Sequence, residues 1–138
     1  MSKASVTSTD VDFQHRIRAG HFDLVTDEPV VLGGQGQGPA PFDLYLAALA
    51  ACTAITIRMY AKRRAWDIGA FRAELILRRD ETGAVRVQRI LHSDRELSAE
   101  QWARLMEIAD RSPVTRAMRE GAEIVTSALP APPSVSSP

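Results

Sequence analysis

Hydrophobic and polar positions alternate early in the chain. Val11, Phe13, His15 and Ile17 are separated by polar residues, the period of a half-buried strand. Gly20 marks a turn, and Phe22, Leu24 and Thr26 resume the alternation, so a hairpin is expected, ending at Asp27-Glu28-Pro29. Residues 27–39 carry glycines at 33, 34, 36 and 38 and read as a connecting loop. Residues 1–10 are rich in Ser and Thr and are expected to be loose.

The period then changes. Pro41 suits the first position of a helix because it has no N–H to leave unpaired. Asp43 falls in the first turn, where the helix dipole favours an anion. Leu44, Ala48, Cys52, Thr56 and Tyr60 are four apart and share a ridge, while Leu49, Ile55 and Met59 line neighbouring ones. A helix from Pro41 to about Ala65 is therefore expected, apolar around nearly its whole girth and buried on most sides. Lys62, Arg63 and Arg64 place cations at its carbonyl end.

Alternation returns at Phe71, Ala73, Leu75 and Leu77, turns at Glu81-Thr82-Gly83 and continues through Val85, Val87 and Leu91. Ser98 and Gln101 form a capping-box pattern, with Leu97 and Trp102 spaced as a hydrophobic staple before an amphipathic helix. Ser112-Pro113 starts a further short helix as N-cap and first position. Ala122, Ile124 and Thr126 read as a last strand, and the Pro/Ser-rich tail 128–138 as disordered. The order ββ-α-ββ-α-α-β indicates a single α+β domain over residues 11–127. The long apolar helix needs more cover than one such chain supplies, which points to a partner subunit.

Composition narrows the function by exclusion. The 138 residues are 45% hydrophobic and 25% charged, with seventeen cations against seventeen anions. A neutral globular chain gives no electrostatic reason to expect nucleic acid or an anionic membrane as partner. One cysteine, Cys52, excludes an intramolecular disulfide and a multi-cysteine zinc site. His15, His21 and His92 are scattered without a ligand pattern, so neither metal nor cofactor is expected. The glycine run 33–38 lacks the Lys-Ser/Thr ending of a phosphate loop and reads as a flexible connection. The longest uncharged apolar run, Leu44 to Ile57, has 14 residues and reads as core rather than a membrane span. With no secretory signal in the first ten residues, a cytoplasmic protein is expected.

Cys52 by itself suggests a small packed thiol. Its surroundings add more. Asp27-Glu28-Pro29, Gly33-Gly34, Gly38-Pro39-Ala40-Pro41-Phe42-Asp43-Leu44, Ala47-Ala48-Leu49-Ala50-Ala51-Cys52-Thr53-Ala54 and Arg58-Met59-Tyr60-Ala61 together resemble the OsmC/Ohr family, the osmotically inducible and organic-hydroperoxide-resistance proteins. The resemblance resumes at Leu105 to Asp110 and at Ser112-Pro113-Val114.

That resemblance implies an intertwined homodimer with a long central helix. It also implies chemistry. A thiolate at the Cys52 position attacks a peroxide O–O bond and becomes a sulfenic acid, a second cysteine closes a disulfide, and a dithiol reopens it. An arginine and a glutamate organise the first cysteine. Here the segment that normally begins with the second cysteine reads Ser112-Pro113-Val114-Thr115. Phe42 stands where the glutamate is expected, with Asp43 beside it, and Arg18 is the candidate arginine. Only the thiolate is nucleophilic, and Cys52 lies mid-helix, so no helix N-terminus is expected to lower its pKa; a nearby arginine is needed. Two readings follow. One is a single-cysteine, thiol-dependent peroxidase whose sulfenic acid is resolved by an external thiol. The other is a non-catalytic relative whose dimer-interface pocket, lined by Phe42, Tyr45, Leu49 and Cys52, holds a small apolar ligand.

Overall fold

The computed structural model describes residues 1–132. Three strands, β1 (Ala4–Ser8), β2 (His15–Ala19) and β3 (Phe22–Thr26), form an antiparallel meander in that order. The expected first strand is shorter than its pattern. Val11–Gln14 turn instead, because the Thr9 hydroxyl accepts the Val11 N–H at 3.1 Å and the Gln14 N–H bonds back to the Val11 carbonyl. The residues expected to be loose supply β1, which pairs with β2 from Ala4↔Ala19 to Ser8↔His15. Ser and Thr carry no apolar signal, so only the neighbouring strand reveals this pairing.

The glycine loop is ordered rather than flexible. Asp27 is buried, and its carboxylate accepts the N–H groups of Glu28, Gln35 and Gln37 at 2.8, 3.1 and 3.2 Å. A Cβ on Gly34 would lie 1.9 Å from the Glu28 carbonyl oxygen, so only glycine lets the loop close around that carboxylate.

Helix α1 (Pro41–Arg63) follows, with the Asp43 carboxylate accepting the Ala40 N–H at 3.0 Å. It ends two residues before the expected Ala65. The Trp66 N–H reaches the Ala61 carbonyl and the Ala65 N–H reaches that of Lys62, a Schellman closure with Ala65 in the left-handed region at φ 54°. β4 (Phe71–Arg79) and β5 (Val85–Ser93) form a separate antiparallel pair in register from Phe71↔Ser93 to Arg79↔Val85. Helix α2 (Ala99–Asp110) carries the expected reciprocal cap between Ser98 and Gln101, and α3 (Pro113–Glu120) follows.

The core sits where α1 meets β4, α2 and α3. Ile57, Tyr60, Ala61, Ile68, Leu105 and Ala109 are buried together, with Leu97 and Trp102 packed against them as the staple requires. Within this chain α1 is buried along one face only, not on most sides: Ile55 and Met59 stay 55% and 61% exposed. By length and composition alone α1 is apolar enough to cross a membrane, a property that a 14-residue window understates, but its inward face packs as a core helix. The expected last strand at 122–127 does not form. Ile124 and Val125 are exposed, and a strand needs a neighbour that this chain does not offer there. Residues 128–132 have no regular structure, and the rest of the tail, 133–138, lies outside the described residues.

Candidate functional site

Cys52 occupies the fourth turn of α1, half-buried, with its sulfur 3.8 Å from the Thr56 hydroxyl one turn on. The element that completes its surroundings is α3. The Val114 N–H, at the second position of α3, points at the Cys52 sulfur over 3.5 Å. Cys52 thus does have a helix N-terminus, supplied by tertiary packing rather than by its own helix.

Ser112 caps that helix in position but not in bonding, for its side chain makes no cap hydrogen bond. It is buried, and its hydroxyl lies 2.7 Å from that of Thr115. The Thr115 hydroxyl donates to the Ala109 carbonyl at 3.0 Å, so its proton is committed and it accepts from Ser112. Ser112 is also among the groups that lower the Cys52 thiol.

The nearby cation is Arg89 on β5, its side chain 13% exposed. One guanidinium nitrogen donates to the hydroxyls of Thr53 and Thr115 at 2.8 and 2.9 Å, and the other to Asp110 at 3.3 Å. Thr53 spends its own proton on the Leu49 carbonyl at 2.7 Å, so both threonines are oriented as acceptors for Arg89. Arg119 of α3 shares the same Asp110 oxygen at 3.2 Å.

Burial pushes the Cys52 thiol up, but the Val114 N–H, the Ser112 and Thr56 hydroxyls and the Arg89 charge together hold it below its ordinary value. Burial likewise draws Arg89 down, against the pull of Asp110, and it remains a cation as arginine does in proteins. Tyr45 and Leu49 line a half-open cavity of about 920 Å³ whose wall includes Arg89 and Thr115 but not Cys52, which the expected pocket contained.

Other expected site residues lie elsewhere. Arg18 is on β2, its side chain 54% exposed and ion-paired with Asp23 at 3.4 Å. Asp43 is engaged with the Ala40 N–H at the start of α1. Phe42 stacks edge-on against Tyr45 at 5.9 Å, with the Arg79 guanidinium 4.1 Å over its ring, outside the cavity wall. Among the described residues no three His, Cys, Asp or Glu side chains converge as a metal would require.

Sequence reasoning did not single out Arg89, Asp110 or the Val114 N–H. One signal was present. Val85, Val87, Arg89 and Leu91 lie on the same face of β5, so an arginine interrupts an inward apolar row.

A long helix carrying one electropositively held cysteine, flanked by an antiparallel pair and two shorter helices, defines an OsmC-type α+β protein. The sequence model of the OsmC-like protein family matches residues 34–127, and the chain belongs to that family. No curated protein matches it significantly. Several solved structures share the fold. A Psychrobacter arcticus protein described in terms of osmotic-stress induction and the detoxification response superposes with a TM-score of 0.74 at 24% identity, over 85% of this chain and 88% of its own. An OsmC-like protein from Mycoplasma pneumoniae gives 0.69 at 16% identity, over 86% and 87%. The organic hydroperoxide resistance protein OhrB of Bacillus subtilis gives 0.60 at 21% identity, over 86% and 90%.

Proposed function

We propose that this protein is a single-cysteine, thiol-dependent peroxidase that reduces organic hydroperoxides, working as a homodimer in the cytoplasm. The observation that carries the reading is the Val114 N–H aimed at the Cys52 sulfur, with Arg89 braced behind it. Those groups favour a thiolate, the form that attacks peroxide. In the reaction the thiolate attacks the terminal oxygen of R–O–O–H as the O–O bond breaks. Cys52 becomes S–OH, and the alkoxide leaves to take a proton as R–OH. A Ser112 proton turned towards sulfur would steady the thiolate before attack. A reducing compartment suits a working thiol.

The chain has no second cysteine to close a disulfide, so the sulfenic acid should persist until an outside thiol arrives. One equivalent of cumene hydroperoxide should add a single oxygen to Cys52, which dimedone then traps, as read by mass spectrometry. A thiol left unmodified by prolonged excess peroxide would overturn the peroxidase reading. It would leave the alternative, a non-catalytic relative whose cavity beside Leu49 holds a small apolar ligand, the reading favoured by Ser112 standing where the family resemblance implies a second cysteine.

A further inference from the structure

The cation and the N–H that act on Cys52 come from different elements, and one hydroxyl joins them. Arg89 reaches the site from β5, and the Val114 N–H arrives with α3. Thr115, the third residue of α3, is 5% exposed, and its polar contacts all run through its hydroxyl. That hydroxyl accepts from Arg89 at 2.9 Å, donates to the Ala109 carbonyl at 3.0 Å and lies 2.7 Å from the Ser112 hydroxyl. The Ala109 carbonyl also takes the Ser112 N–H at 3.3 Å, so Thr115 and Ser112 together close the α2–α3 turn onto the end of α2. The turn sets where the start of α3 points.

Thr53 accepts from the same Arg89 nitrogen at 2.8 Å, but its reach is different. Its own proton goes to the Leu49 carbonyl within α1, so it holds the arginine and nothing of α3. We propose that Thr115 is a positioning residue for Cys52, holding the Arg89 guanidinium and the start of α3 together about the sulfur. The inference deepens the peroxidase reading and rests on it for its purpose, since it names what keeps the attacking thiol ready, but it is measured on the thiol itself. The groups that act on the sulfur are the Val114 N–H and Ser112 from α3, Thr56 from α1 and Arg89 from β5. Asp110 of α2 pairs with Arg89, and Arg119 of α3 pairs with the same carboxylate. Thr115 acts through Arg89 and Val114. Deleting its hydroxyl leaves Arg89 one acceptor short and loosens the α2–α3 turn, and both changes weaken the field that favours a thiolate.

The test compares Thr115→Val, which keeps the shape of the side chain and deletes the hydroxyl, with Thr115→Ser, which keeps the hydroxyl. For each, the rate of Cys52 alkylation by iodoacetamide is followed against pH. Thr115→Val should be slower by about fivefold at neutral pH and should converge with wild type at high pH, where every thiol is ionised. Thr115→Ser should follow the wild-type profile. In an Arg89→Gln background the effect of Thr115→Val should be smaller than in wild type, because members of one hydrogen-bond network do not add. Should Thr115→Val fail to fold, Thr115→Ala, whose smaller side chain leaves room for water, carries the same comparison. A folded hydroxyl-free variant with the wild-type profile, a slowing that persists at high pH, or a Thr115→Ser as slow as Thr115→Val would overturn the role. An undiminished effect in the Arg89→Gln background would overturn the route through Arg89. Expected alkylation profiles in a protein that forms no dimedone-trappable sulfenic acid would overturn the peroxidase reading and leave the positioning role standing.

Discussion

Arg89 holds a position that ordinarily belongs to valine or leucine, facing inward from the middle of a strand. Its charge is tolerated there because three acceptors are fixed in advance: two threonine hydroxyls whose protons are already committed, and the Asp110 carboxylate. Arg89→Gln removes the cation and should slow iodoacetamide alkylation of Cys52 near neutral pH, with the rates of variant and wild type converging at high pH, where both thiols are ionised. A stopped-flow pH profile measures this, and stability should fall by about 1–3 kcal/mol as the threonine and aspartate partners lose their donor. The depressed thiol also sets a sign for stability. Cys52 ionises at lower pH folded than unfolded, so its contribution is complete above the free-cysteine value of about 8.5 and is lost as pH falls through the lowered folded value. Of these residues, only Cys52 was legible in the sequence. Arg89 and Asp110 are 21 positions apart and meet through tertiary packing, and Arg89 lies outside every stretch that carries the family resemblance.

Helix ends show where local sequence is enough and where it is not. The reciprocal cap of α2 is encoded within four residues and forms as its pattern predicts. The end of α1 is less legible, since an alanine sits where glycine is the usual left-handed residue. Ala65→Gly relieves that conformation and should raise stability by about 0.5–1 kcal/mol, seen as a higher urea midpoint with an unchanged slope. The junction of α1 with α3 carries a sharper test. Ser112 lies two residues before Val114, whose N–H reaches the Cys52 sulfur, so Ser112→Cys should form a disulfide with Cys52 under peroxide and gain turnover with a dithiol. Its cost in stability should be small, about 1 kcal/mol, because Ser112 makes one hydrogen bond to Thr115 and no cap bond. Non-reducing mass spectrometry reports the bridge. β1 and residues 122–127 were misjudged in opposite directions for one reason. Strand formation depends on a partner strand, and propensity sees only the segment itself.

The whole chain is built in two unequal parts. α1, β4, α2 and α3 enclose the core, whereas β1, β2 and β3 pack mainly on each other and contain no buried residue. Phe22, Val30, Val31, Leu32, Ile55 and Met59 add exposed apolar side chains to the same surface inventory. A small sheet with no fully buried residue on either face is not stable alone in water. We therefore expect an obligate homodimer, and light scattering at micromolar concentration should give twice the chain mass; a folded monomer would contradict it.

The isolation of the β1–β3 sheet from the core makes dilution an experimental handle. If a second chain covers that sheet, its ordering is a bimolecular event, and its fraction follows mass action while the helical core forms within one chain. Protease cleavage at Arg16 and Arg18 should then accelerate as the protein is diluted, while cuts within α1 and α2 hold steady. Abundance in the cell would thereby set how much of the protein is whole at any moment, and raising its synthesis would increase complete molecules more steeply than in proportion to the chains made.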